Sequence, residues 1–351
     1  MNPDGNPAHP IPAAAEHQDG SSLAEAVLQG SRLALARAIT QVENDTSLGR
    51  EVLNLLFAHT GRAHLIGVTG APGTGKSSLV NQLARLYRQP AEGSPLKVAI
   101  VAVDPSSPFT GGSLLGDRIR MRDLAGDPGV FIRSMASRGS LGGLAATTPG
   151  VVQLLDAAGF DLILIETVGA GQSEVEIARL AHTTLVVEAP GMGDDIQAIK
   201  AGILEIADIL VINKADRPGV ENTERALRGM LELGHPSRMV QVDHDRQHQL
   251  TSAPRNRPAP KQEPAGFWLP PIIRAIAPEG VGIAELAQTI ARHRVYLEGS
   301  GEWAQRDQMR IRSELEVILK ETLVNRWRAT LPEAKYQEAL VRLAERRSSP
   351  H

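Results

Sequence analysis

Read for apolar and polar positions, the middle of the chain alternates short apolar runs with longer segments of helical period. Leu65-Ile66-Gly67-Val68-Thr69, Lys97 to Val103, Asp161 to Glu166, Thr184 to Val187 and Ile209 to Ile212 are mostly apolar and partly β-branched. Runs of this kind predict strands covered on both faces, as in a parallel sheet. Gly129 to Ile132 predicts a weaker strand, with a loop over Arg133 to Gly139, and Ile272 to Ile276 predicts the last strand. Between the first two strands, Ser78 to Tyr87 places Leu79, Leu83 and Leu86 on one helical face. A further helix is expected across Asp195 to Ala207. Strands alternating with helices imply right-handed crossovers, and they put a ligand beyond the carboxyl ends of the strands.

The flanks have a different pattern. Residues 1–21 are rich in Pro, Gly and Ala and are expected to be disordered. Ser21 and Ser22 can cap a helix running to Val42, with Leu23, Val27 and Ala34 among its apolar positions. Thr46-Ser47 starts a second helix carrying Val52, Leu53, Leu55 and Leu56. Residues 234–271, rich in Pro, Arg, Gln and His, break the alternation and read as a long surface loop. His244 and His248 there, beside Asp243 and Asp245, read as solvated groups, because no packed scaffold orients them. A helix after Gly282 turns Leu286 and Ile290 inward. Glu302 to Ala329 then carries Ile311, Leu315, Ile318, Leu319, Leu323 and Trp327, a stripe wider than one contact face needs. A last helix after Pro332 carries Tyr336, Leu340 and Leu343. The chain's own body and a second copy are both surfaces that could cover these faces. The expected division is a helical extension over 22–62, an α/β domain over 63–297 and a helical arm over 298–351.

Composition narrows the function. An apolar content of 42% in 351 residues supports one large α/β domain with helical additions. The net charge of −3 gives no general attraction for nucleic acid or anionic membranes. The absence of cysteine excludes disulfides, thiolate nucleophiles and thiolate metal sites, and is compatible with the cytoplasm, the expected location. No apolar run approaches the ~20 residues of a spanning helix. The N-terminus has no basic region followed by an apolar core, so no signal peptide is expected.

The candidate chemistry lies at strand ends. Residues 70–77 read GAPGTGKS and fit the pattern G-x-x-x-x-G-K-[ST] between a strand and a helix. That order aims backbone N–H groups and a helix N-terminus at a phosphate chain. Gly70, Gly73, Thr74, Gly75, Lys76, Ser77 and Ser78 are the candidate phosphate-binding residues. Gly73 and Gly75 let the backbone close around the phosphates, Lys76 would reach the β- and γ-phosphates, and the Ser77 hydroxyl would hold Mg²⁺. The expected fold class is therefore α/β, a P-loop NTPase with a mostly parallel central sheet flanked by helices. Asn213-Lys214-Ala215-Asp216 follows another strand. The Asp216 carboxylate can accept from the ring N–H and the exocyclic amine of guanine, for which adenine has no matching donors. GTP and GDP are the ligands this predicts. A further element near Ala277, in Ile276 to Gly280, should complete the base pocket.

Together, GAPGTGKS, VDPSS at 103–107, TGGSLLGDRIRM at 110–121, ETVGAGQSE at 166–174, PGMGDDIQAIK at 190–200 and NKAD resemble the MeaB/ArgK GTPases, chaperones of cobalamin-dependent acyl-CoA mutases. The resemblance spans residues 60–220. It implies a Mg²⁺-dependent, homodimeric GTPase that binds the mutase, gates loading of adenosylcobalamin and helps remove inactivated cofactor. By the same resemblance, Asp104, Asp117 and Glu166 match acidic positions around the metal and the switches. Gln172 is a candidate to orient water, although its spacing from Gly169 departs from the usual one, and Arg120 is a candidate charge stabiliser. Gly191, Asp194 and Lys200 fall in a switch that would respond to the mutase. Two features depart from the family pattern: Ile276, where Ser commonly precedes the Ala, and the length and polarity of 234–271. Rival readings are a nickel-insertion GTPase, an amino-acid transport kinase and a scaffold that binds nucleotide without hydrolysis. Zero cysteines and the lack of a histidine-rich tract argue against the first, and no separate phosphorylation site supports the second.

Overall fold

A computed structural model describes residues 19–104, 122–124, 126–136, 147–167, 173–191, 205–234 and 267–349. Seven strands form one sheet: β1 His64–Thr69, β2 Val98–Asp104, β3 Val130–Ala136, β4 Leu162–Thr167, β5 Thr183–Glu188, β6 Ile209–Ile212 and β7 Ile272–Arg274. Their order is β3-β2-β4-β1-β5-β6-β7, and each of these pairings is parallel. β1, β4, β5 and β6 are buried along their whole length, which is why they read as unbroken apolar runs.

Side chains alternate between the two faces. Leu65, Ile163 and Ile165 point to one face, where α1 Gly20–Leu28, α2 Arg32–Glu43, α3 Ser47–Leu56, α5 Thr148–Ala157 and α6 Ser173–Leu180 cover them. Ile66, Val68, Leu164, Leu185 and Val211 point to the other, under α4 Lys76–Arg88 and α8 Ile283–Ser300. Leu79 and Leu83 of α4 and Leu286 and Ile290 of α8 are buried there, as their spacing predicts. α7 Val220–Gly234 packs on Val186, Leu210 and Ile212. The chain ends in α9 Glu302–Thr330 and α10 Glu333–Ala344. Among the described residues no helix is long and apolar enough to cross a membrane.

Several expectations change. The single helix expected from Ser21 to Val42 is two, broken at Gly30-Ser31, where the Ser31 hydroxyl caps α2 by accepting from Ala34 N–H at 3.3 Å. α1 begins at Gly20, capped by Asp19, so residues 19–21, expected to be disordered, are ordered, and residues 1–18 lie outside the described residues. The loop expected over Arg133 to Gly139 is strand as far as Ala136, in register with Asp104 of β2. Arg133 looked like a loop residue, but its guanidinium pairs with Glu43 of α2, and an edge strand tolerates charge. β7 stops at Arg274; Ile276 instead makes a bridge to Val281. The boundary drawn at 297/298 lies inside α8. Most of the helix expected over Asp195 to Ala207, and most of the 234–271 loop with its histidines, lie outside the described residues.

Candidate functional site

The glycine-rich loop leaves the carboxyl end of β1 and turns into α4. Gly70 has φ +136°, and a Cβ there would sit 2.1 Å from the Val187 carbonyl oxygen, so the turn has room for glycine alone. Gly75, at φ +92°, is the residue before α4, and a Cβ there would meet Asn213 Nδ2 at 2.4 Å. These two contacts press the loop against β5 and the turn after β6. The loop is thereby fixed at the N-terminus of α4, and the first-turn N–H groups of a helix are the kind that bind phosphate oxygens.

Lys76 opens α4 and is buried, its Nζ donating to the Gly70 and Ala71 carbonyls at 2.7 and 3.0 Å. The ammonium is thus kept at the loop rather than extended into solvent. Ser77 Oγ donates to Glu166 Oε1 at 2.6 Å, and both residues are buried. Glu166 stands near the carboxyl end of β4, level with Val68 of β1. One residue further along each strand, Thr167 Oγ1 donates to Thr69 Oγ1 at 3.1 Å. This hydroxyl pair was not singled out in the sequence; its only signal is a threonine ending each of two central strands. Thr74 is buried, and Gly73 and Ser78 are exposed at the loop and the start of α4.

The base-reading segment is tied to the same loop. Asn213 is 1% exposed, its Nδ2 donates to the Thr74 carbonyl at 2.8 Å, and its Oδ1 accepts from Ala277 N–H at 3.0 Å. Lys214, at φ +57°, donates from Nζ to the Gly73 carbonyl at 2.6 Å. Ala215 N–H donates to the Ala275 carbonyl at 3.0 Å. The phosphate loop, the NKAD turn and the Ala275–Ala277 segment are therefore one hydrogen-bonded body. Asn213 spends its amide on holding these pieces together, and Asp216, exposed on the same turn, is the carboxylate facing outward.

The remaining candidates divide. Asp104 ends β2, in register with Ala136. Gly191 is exposed just beyond β5 with φ +85°. Asp117, Arg120, Gln172, Asp194 and Lys200 lie outside the described residues.

A glycine cradle ending in Lys-Ser, a strand-end carboxylate beside that serine and an NKAD turn, all at the carboxyl ends of parallel strands, define the class: a P-loop GTPase. The chain belongs to the MeaB family, described as methylmalonyl Co-A mutase-associated GTPase, which it matches over residues 35–331. A Pyrococcus abyssi protein named as a GTPase is 42% identical over 329 residues, covering 94% of this chain and 93% of that protein. GTPase ArgK of Escherichia coli is 44% identical over 203 residues, covering 56% of this chain and 60% of that one. The mitochondrial methylmalonic aciduria type A homolog of Mus musculus is 31% identical over 329 residues, covering 90% and 72%. Among solved structures, one described as a LAO/AO transport system kinase matches with a TM-score of 0.63 at 27% identity over 96% of each chain. The activity of this protein is GTP hydrolysis.

Proposed function

We propose that this GTPase serves an adenosylcobalamin-dependent acyl-CoA mutase, gating loading, protection and reactivation of the mutase's cofactor in the cytoplasm. The family description, methylmalonyl Co-A mutase-associated GTPase, supports the partner. The Ser77–Glu166 pair carries the site: a hydroxyl and a carboxylate 2.6 Å apart, buried, at the foot of the phosphate loop. Hard oxygen donors of this kind suit Mg²⁺. Ser77 and Glu166 would hold the ion, with Asp104 and Asp117 as the further acidic positions. Held by these residues, Mg²⁺ would supply positive charge that offsets the charge of a bound phosphate chain. Lys76 leaves its two carbonyl partners for the same oxygens, the α4 N-terminus and loop N–H groups cradle them, and Asp216 with the Ala277 backbone selects guanine. Gln172 and Arg120 are the candidates for placing water and stabilising charge.

The arm favours a homodimer. Leu315, Leu323 and Trp327 of α9 are 53%, 66% and 62% exposed, and neither α9 nor α10 has a buried residue. A second copy would cover this apolar face. Gly191, Asp194 and Lys200 would carry the nucleotide state to the mutase. The test is GTP turnover with and without purified methylmalonyl-CoA mutase, repeated with an isobutyryl-type mutase. The expected result is stimulation by one of them, lost in Lys200→Ala while GTP binding stays within a few-fold of the parent. Absence of both stimulation and co-elution with either mutase would overturn the reading.

A further inference from the structure

The amino-terminal end of the sheet, opposite the nucleotide, holds a polar cluster that GTP hydrolysis does not use. His64 opens β1, His182 and Thr183 lie at the start of β5, Asp208 precedes β6, and His293 lies in α8. Their exposures are 2% or less for the three histidines and 7% for Asp208. Trp303, Arg306 and Asp307, in the first turns of α9, close over them. The Arg306 guanidinium donates to both Asp208 oxygens at 2.8 Å and to the His182 carbonyl at 2.7 Å. The Trp303 ring stacks on His182 with centroids 3.9 Å apart. The polar hold on the root of the arm passes through these groups.

The hydrogen bonds select neutral rings. Leu65 N–H donates to His182 Nδ1 at 3.1 Å, so that nitrogen keeps its lone pair, and the proton sits on Nε2, 3.0 Å from Asp307 Oδ1. A second proton on His182 would have to enter at Nδ1, where a backbone N–H already points. His64 Nε2, Thr183 Oγ1 and His293 Nδ1 form a relay at 2.7 and 2.9 Å, and His293 Nε2 lies 3.4 Å from Asp208 Oδ1. With Nδ1 of His293 as the acceptor, Thr183 donates to His293 and His64 donates from Nε2 to Thr183. In that arrangement His64 meets Thr183 as an uncharged imidazole.

The surroundings oppose charge on His64 and His182. His64 is held well below the ordinary histidine range by burial first, then by His182, with Arg294 and His293 of α8 adding to the effect and Asp208 opposing it. His182 is lowered by burial, and Arg310 and Arg306 of α9 add to that; its bond to Asp307 works the other way but does not win. Burial also disfavours charge on Asp208, but the hydrogen bonds from Arg306 and His293 outweigh it and hold the carboxyl down to about 2. Asp307 stays below its usual range through His182 despite burial. The carboxylates therefore stay ionised across the pH range in which histidines titrate.

We propose that this cluster is an acid-released latch, which docks the root of the arm helix α9 on the sheet only while His64 and His182 are neutral. The sign follows from linkage. Their docked pKa values lie below the ordinary value of about 6.5, so docking keeps its full stability above that pH. As pH falls below it, the undocked, solvated rings take up protons that the docked ones refuse, and the equilibrium moves toward release by up to about tenfold per pH unit for each ring. Because α9 carries the exposed apolar face, release would change how that face is presented. The latch rests on neither the nucleotide nor the mutase reading.

Hydrogen exchange of the full chain at pH 7.5 and pH 5.5, corrected for intrinsic chemical rates, tests it. Peptides over residues 302–312 should lose protection about tenfold or more at pH 5.5, with 98–104 and 162–167 unchanged. In His182→Gln the amide can accept from Leu65 N–H and donate to Asp307 without titrating, so its loss of protection should be smaller. Equal protection of 302–312 at both pH values, or simultaneous loss in 98–104, overturns the proposal. If His182→Gln fails to fold, NMR titration of the parent histidines decides: a His182 pKa of about 6.5 or higher also overturns it.

Discussion

The two ends of this sheet are held in contrasting ways. At the carboxyl ends, the holding runs onto backbone groups: Gly70 lies against the Val187 carbonyl, the Asn213 amide bridges the Thr74 carbonyl and Ala277 N–H, and the Lys76 ammonium sits on the loop carbonyls. The charged groups there have work left to do toward a ligand. At the amino ends, side chains hold one another: Arg306 grips Asp208 and His182 meets Asp307, with Asp208 and His182 buried. On the proposed reading the first end exchanges its present partners for a ligand, whereas the second neutralises its charges internally. Substitutions should therefore change ligand recognition at one end and stability at the other.

The largest effect is expected at the nucleotide end. Asp216→Asn should cut discrimination of GTP over ATP by up to ~10⁴ and should improve binding of xanthosine triphosphate, whose base presents an acceptor where guanine has its amine. Asp216 is exposed, so the melting temperature should hardly move. Titration calorimetry with the three nucleotides checks this. If the parent binds ATP as well as GTP, the carboxylate does not read the base. Next comes Arg306→Ala, which leaves the Asp208 carboxylate buried without its two-pronged partner and should cost about 3–5 kcal/mol in urea unfolding. GTP affinity of the folded fraction should stay within a few-fold, because Asp208 and Asn213 sit roughly 16 Å apart along β6 at about 3.3 Å per residue. A large loss of GTP affinity in Arg306→Ala would mean that the two ends are coupled and would break the contrast.

That contrast also explains what the sequence made legible. The phosphate loop and NKAD are contiguous, and each stands at the end of an apolar run, so type, order and role can be read locally. The strands emerge for the same reason. α5 was not singled out, because it opens Thr148-Pro149-Gly150 and then buries Val151, Val152, Leu154 and Leu155 together, leaving no polar face to mark its period. The apolar run of β3 ends at Arg133, whose partner Glu43 lies far off in α2. The latch gave no signal at all. His64 is a lone polar residue before an apolar run, Asp208 stands 98 positions from Arg306, and His182 stands 125 from Asp307. Only the closed sheet brings them together.

The smallest expected effect tests whether burial, rather than the number of hydrogen bonds, makes the amino-terminal latch strong. Arg88, in the last turn of α4, grips Asp127 with Nε and Nη2 at 2.9 and 2.8 Å and donates from Nη1 to the Leu96 carbonyl at 2.7 Å. The Arg306–Asp208 pair is also two-pronged, through Nη1 and Nη2, but the Asp127 side chain is 25% exposed against 10% for Asp208. Water can therefore reach the carboxylate left behind by Arg88→Ala, and Gly129 N–H still donates to it at 2.8 Å. The cost should be about 1–2 kcal/mol, the range of a charge-assisted hydrogen bond lost without a buried orphan. The pH dependence separates Asp127 from the histidines of the latch. The hydrogen bond from Arg88 holds the Asp127 carboxyl below its usual range, so its contribution is present above about pH 4 and is lost as pH falls through the lowered value. Arg88→Ala should therefore flatten the stability profile below about pH 4 and leave the histidine window untouched. Urea unfolding from pH 3 to 8 reads both windows in one series. An Arg88→Ala cost equal to that of Arg306→Ala would show that a quarter-exposed carboxylate is as hard to abandon as a buried one, and that burial does not set the strength of the latch.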